Sequence, residues 1–185
     1  MKLNDNEIRA ALLTYLDKLR FRPSKVVEEL HIHRGNAIAD VVALHQEPHC
    51  YEIKGDKDKI SRLERQGFYY DQAFRKITLV TTDRNLKSAI SKCPEYWGII
   101  IATSHKGKVV LKPHRKAKIS PLYNKKIALE TLWRDEMIKT IEKDKLNINK
   151  KLSKSSLADS IALKSSIKNI QKAITISLLH RTFKS

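Results

Sequence analysis

The feature that most constrains this chain is a pair of apolar segments, Ala37-Ile38-Ala39-Asp40-Val41-Val42-Ala43-Leu44 and Cys50-Tyr51-Glu52-Ile53-Lys54, joined by His45-Gln46-Glu47-Pro48-His49. Their lengths and their content of β-branched residues read as strands, and the connection has the length of a hairpin loop. Apart from a few charges both segments are apolar on both faces, as strands covered from two sides are. Such a hairpin needs a layer above the sheet and another below it, which points to an α/β domain.

The flanking sequence supplies those layers. Ile8, Leu12, Tyr15, Leu16 and Leu19 fall on one helical stripe, with Asp5 as the cap. After Phe21-Arg22-Pro23, Ser24 is placed to cap a short second helix from Lys25 to Leu30. Downstream, Asp58 opens a helix to about Phe74, followed by a strand from Lys76 to Thr81, a helix from Asp83 to Ile90 and a strand from Trp97 to Ala102. A turn at His105-Lys106-Gly107 leads into a last strand, Lys108 to Leu111. The expected order, αα-ββ-α-β-α-ββ, is a mixed sheet with helices packed on it. The chain then turns basic and loses periodicity, and helical spacing returns from about Ile127 to Glu142 and again at Ile167, Ile170, Ile174 and Leu178. This predicts a core over residues 1–112, a basic linker over 113–126 and a Lys-rich helical extension over 127–185.

Charge separates along the same lines. Of the formal +17, residues 1–104 carry +3 and residues 105–185 carry +14, with 20 Lys and Arg against 6 Asp and Glu. A field of that sign concentrates polyanions, and each phosphate neutralised releases counterions, so DNA is the expected partner, with RNA as the other form of the same chemistry. No apolar run reaches the ~18–20 residues of a membrane span and the N-terminus lacks the apolar core of a signal peptide, which predicts a cytoplasmic protein without a membrane partner. Cys50 and Cys93 have no partner at zinc-ligand spacing and read as buried, reduced thiols.

Within the hairpin, positions 40 and 52 are symmetric about residue 46, so the Asp40 and Glu52 carboxylates come opposite one another. Opposed Cβ atoms lie about 4.5–5.5 Å apart, near enough for both acids to hold one divalent ion. Lys54, two residues past Glu52, shares its face. Burying two neighbouring carboxylates is costly without a compensating cation or proton, which suggests a metal site. Asp40, Glu52 and the carbonyl of Ile53 would hold Mg²⁺, with Mn²⁺ as a substitute, and a bound water would attack a phosphodiester with Lys54 orienting it. The bland reading of the same residues is a set of charges that protect a strand edge. On the helix from residue 58, Gln66 lies at the rim of the apolar stripe, Tyr70 at its margin, and Arg62 one turn before Gln66 on the polar side, placed to touch phosphate.

Asp40, the gap of eleven residues and Glu52-Ile53-Lys54 together resemble the PD-(D/E)XK motif of restriction-endonuclease-like nucleases, with Ala39 where that motif has proline. Gln66 and Tyr70 resemble an extension of the motif, and the likeness covers about residues 25–102. It implies a restriction-endonuclease-like core, that is, a mixed central β-sheet flanked by helices, with a basic C-terminal helical extension. It also implies a third acid on the metal, Glu29 or Glu28. Gln66, Tyr70 and Arg62 would meet the substrate, with Arg34 compensating for Ile38 where a basic residue often stands. The activity so implied is a Mg²⁺-dependent endo- or exonuclease hydrolysing DNA in repair, recombination or phage and mobile-element defence, a homodimer if both strands are cut. The alternative is a catalytically silent nucleic-acid-binding protein that retains the fold.

Overall fold

The computed structural model describes residues 2–58 and 60–182, with the side chains of Arg62 and Glu64 left aside. Helix α1 (Asp5–Asp17) starts one residue earlier than the apolar stripe suggests. Its cap is Asn4 rather than Asp5: the Asn4 side chain accepts from the Glu7 amide at 3.0 Å, and Glu7 accepts from the Asn4 amide at 2.9 Å. That reciprocal pair satisfies two amides at the open end of the helix. Ile8, Leu12 and Leu16 are buried on its inner face.

The expected second helix is a strand, β1 (Lys25–Ile32), which pairs antiparallel with β2 (Ala37–Leu44). Val26, Val27 and Ile32 favour the pleated form, and the edge of β2 gives their backbone a ladder that six isolated residues of helix could not match. β1 is irregular at Glu29, whose φ is 52°. The apolar alternation changes phase there, so Val27, Leu30 and Ile32 all reach the same core. An extended strand could not place them so, and the left-handed backbone at a non-glycine residue is what that placement costs.

β2 pairs antiparallel with β3 (Pro48–Lys54) in the register Val41 opposite Tyr51 and Val42 opposite Cys50, centred on residue 46 as the spacing predicts. β3 pairs parallel with β4 (Lys76–Thr82), and β4 parallel with β5 (Gly98–His105). β6 (Lys108–Arg115) closes the sheet antiparallel to β5, giving six strands in sequence order. Strands joined by a turn run antiparallel, and those joined through α2 (Leu63–Ala73) or α3 (Leu86–Lys92) run parallel, because a parallel return needs a crossover. α2 is preceded by a 3₁₀ turn over Ile60–Arg62 rather than running unbroken from Asp58.

One face of the sheet is covered by α1, with Leu12, Val41, Ile53 and Val80 in that layer. The other carries α2 and the C-terminal helices α4 (Lys125–Leu129), α5 (Arg134–Lys143), α6 (Lys154–Lys164) and α7 (Ile167–His180). Leu129, Met137, Ile161 and Leu178 from these helices share one apolar cluster with Leu44, Leu79 and Trp97. The protein is thus mixed α/β, with a six-stranded mixed sheet and seven helices among the described residues.

The stretch expected as a linker begins inside β6, and its remainder is held along the core. The amides of Lys118, Ser120 and Asn124 donate to the carbonyls of Tyr96, Arg75 and Gln72 at 2.8, 2.8 and 3.0 Å. At the far end Lys25 Nζ donates to the carbonyls of Leu178, Leu179 and Arg181, placing a cation on the C-terminus of α7, where the helix dipole favours it. α6 has no counterpart in the sequence pattern because its apolar residues Leu157, Ala158 and Ile161 are few, and burial against α4 and α5 rather than a long stripe holds it.

Candidate functional site

The hairpin register brings Asp40, Glu52 and Lys54 together, one step beyond the Val41–Tyr51 pair. Glu52 is fully buried on the face of β3 that meets α2. Its Oε1 takes Lys54 Nζ at 2.5 Å, and its Oε2 is 2.7 Å from the Tyr70 hydroxyl, which is also 2.7 Å from the Ile38 carbonyl and shares its proton between the two. Tyr70 is therefore both a core residue and a hydrogen-bond donor to this carboxylate. Burial and the Glu52 charge hold its phenol far above the usual range.

Asp40 Oδ2 accepts from the Ile53 amide at 2.8 Å, so Ile53 contributes its N–H here. On the other side stands Arg9, from α1, a residue that the strand pattern alone does not single out. Its guanidinium reaches the Asp40 carbonyl at 2.9 Å and Asp40 Oδ1 at 3.6 Å, Asp5 at 3.2 Å, Glu29 at 2.9 Å and Glu28 at 3.5 Å. Glu28 and Glu29 are thus both drawn to one guanidinium, and both side chains remain substantially exposed. The signal that could have found Arg9 is its place directly after Ile8 and four residues after Asp5, where a helix sets it beside the sheet.

Burial, followed by the Glu52 charge, raises the Asp40 carboxyl to about 7, against the pull of the Ile53 amide and Lys54. A folded-state value above the unfolded one adds stability that is full below about 3.8 and is lost as the pH rises through about 7. Asp40→Asn, which still accepts from Ile53, is expected to be about 1–3 kcal/mol more stable than the parent at pH 8, with the gap closing by pH 4. Urea melts at the two pH values check this; a variant less stable at pH 8 would remove the repulsion argument.

A fit to Mg²⁺ can be tested on the donors present. Each carboxylate of the group is turned to a protein donor: Glu52 to Lys54 and Tyr70, Asp40 to the Ile53 amide and Arg9, Glu28 and Glu29 to Arg9. Among the described residues no group of three or more His, Cys, Asp or Glu is arranged around one point. In this arrangement Arg9 and Lys54 are the cations nearest the acids.

Arg34 lies apart from this group. Arg34 points to the C-terminal helices, with its guanidinium 2.8 Å from Glu130 and 3.1 Å from Ser155 Oγ. Gln66 has a buried side-chain oxygen without a hydrogen-bond partner. The side chain of Arg62 lies outside the described residues. Exposed lysines gather instead on β6, at Lys108 and Lys112, and beside it, at Lys106 in the preceding turn and at Lys116 and Lys118 just past its end. On β6 the lysines alternate with half-buried Val109 and Leu111, which pack toward α1.

A mixed α/β protein with a carboxylate cluster partnered by Arg9 and Lys54, and with exposed lysines on and beside its last strand, is the class that fold and site define. Over residues 1–185 the chain matches the family described as Bacteriophage P4 protein cII, and it belongs to that family. It is 22% identical to Protein cII of Enterobacteria phage P4 over 180 residues, which is 97% of this chain and 68% of that protein. No solved structure matches it. The membership overturns the likeness to PD-(D/E)XK nucleases and, with it, the nuclease and hydrolase assignment drawn from Asp40, Glu52 and Lys54. The physical reason is that a hairpin-spaced Asp followed by Glu-x-Lys also serves as a self-compensating buried charge group. No helix among the described residues is long and apolar enough to cross a membrane.

Proposed function

We propose that this protein binds DNA without cutting it, through the basic surface of its last eighty residues, on a scaffold that keeps the restriction-endonuclease-like layout of a mixed sheet flanked by helices. The observation that carries the reading is the charge: +14 over residues 105–185, with five exposed lysines along one sheet edge. A solvated surface needs mixed signs for solubility, and a single-sign excess of this size instead builds a potential that steers and holds polyanions. The carboxylate cluster fits a structural role in the same picture. It ties α1, the hairpin and α2 together.

The test is incubation of the protein with a labelled duplex in the presence of Mg²⁺, followed by a mobility shift and then recovery of the DNA. The expected result is a shifted complex from which the duplex is recovered at full length. Absence of any complex at low salt, or fragments that disappear in the folded double variant Lys54→Met with Glu52→Gln, would overturn the reading.

A further inference from the structure

At the opposite end of β3 from Lys54, a groove opens on the sheet face that carries α1. Five residues of strand, at ~3.3 Å each, separate His49 from Lys54 by about 16 Å. α1 ends short of this edge, and two adjoining cavities of about 360 and 1030 Å³ open there, sharing Leu19, His49 and Tyr51. The floor is aromatic: the His49 and Tyr51 rings are stacked with centroids 4.4 Å apart, and His49 Nε2 is held by Thr78 Oγ1 at 2.8 Å. Tyr15 forms part of one wall. At the mouth Phe21 is 76% exposed, its ring met on one side by Arg20 at 5.3 Å.

The rims are cationic. Arg22, Arg75, Lys76, Arg115, Lys116 and Lys168 line the two cavities against one carboxylate, Glu47, which Arg75 and Lys76 neutralise at 2.6 and 3.0 Å. The wall over residues 113–117 sits close because position 98 is glycine: a Cβ there would come within 2.5 Å of Thr78 Oγ1 and 3.0 Å of the Ala117 amide. Burial and the nearby Lys76 push His49 down to about 3, so it adds no charge to the groove floor.

We propose that this groove takes unpaired nucleotides, with the exposed Phe21 ring receiving a base and Arg22, Lys116 and Lys168 meeting the phosphates. The inference rests on the nucleic-acid reading above and names the form of nucleic acid that this surface selects. Exposed ring faces attract bases only where those bases are unstacked, which a duplex denies them, while cations along a groove serve any backbone. The combined cavity exceeds the volume of a single small-ligand site, as a stretch of several nucleotides requires.

The experiment compares affinities of the full chain for a labelled single-stranded oligonucleotide and for its duplex, in wild type, Phe21→Ala and Phe21→Trp. Phe21 is a surface residue, so its loss leaves the fold intact. The expected result is a roughly ten-fold weaker single-strand affinity in Phe21→Ala, duplex affinity within two-fold, and recovery in Phe21→Trp. Equal weakening of both forms, or no change in either, overturns the groove while the DNA-binding reading stands. A wild-type protein that binds neither form overturns both.

Discussion

Replacing Lys54 by methionine is expected to cost this protein about 3–5 kcal/mol of folding stability, because it strands a fully buried carboxylate. Glu52 has no exposed surface, and the amine at 2.5 Å is the cation on it. Methionine keeps most of the volume of the lysine stem, so the loss comes from the charge and its hydrogen bond rather than from a cavity. The double replacement Lys54→Met with Glu52→Gln removes both charges and leaves Tyr70 a carbonyl oxygen to donate to. It should therefore recover most of the loss, since exchanging a buried ion pair for neutral groups is often close to neutral. Urea unfolding of the two variants beside the parent reads both quantities. A lysine kept for chemistry rather than for the fold would give the opposite pattern, with the single variant as stable as the parent.

The second large effect concerns binding. Converting Lys106, Lys108, Lys112 and Lys116 to glutamine is expected to weaken DNA affinity on the order of 10–100-fold near 0.1 M salt, with little change in unfolding free energy. All four are exposed, and β6 is anchored by Val109 and Leu111 rather than by its lysines. Edge lysines also guard a sheet against pairing with another chain. If that were their whole role, the substitution would change aggregation and leave DNA affinity untouched, so the two roles separate in one titration.

Much of the fold is legible in the residues, and the failures have identifiable causes. The hairpin can be read because its two segments are apolar on both faces and their spacing admits one register, which the pairing of Val41 with Tyr51 reproduces. β1 reads as a helix because Ser24 stands where a helix cap would, while the neighbour that makes it a strand lies across the sheet. The meeting of Asp40 with Glu52 follows from the same register. What the sequence could not supply is the counter-charge: Arg9 is 31 residues away from Asp40 along the chain, and no local pattern marks the contact. Without it two buried acids suggest a metal; with it and Lys54 they form a closed group. The basic excess is visible as a count, but that β6 runs on through residues 113–115 is not, because Pro113 and the surrounding cations hide the strand.

The central claim, that the lysine-rich edge grips DNA phosphates, is tested most directly by the salt dependence of binding. The observed association constant for a duplex is measured from about 50 to 200 mM salt for the parent and for the four-lysine variant. The account predicts a straight line of log constant against log salt with a slope of roughly −4 or steeper for the parent, made shallower by about 0.9 for each phosphate that the variant no longer neutralises. A slope near zero in the parent, or one that the four substitutions leave unchanged, would contradict it.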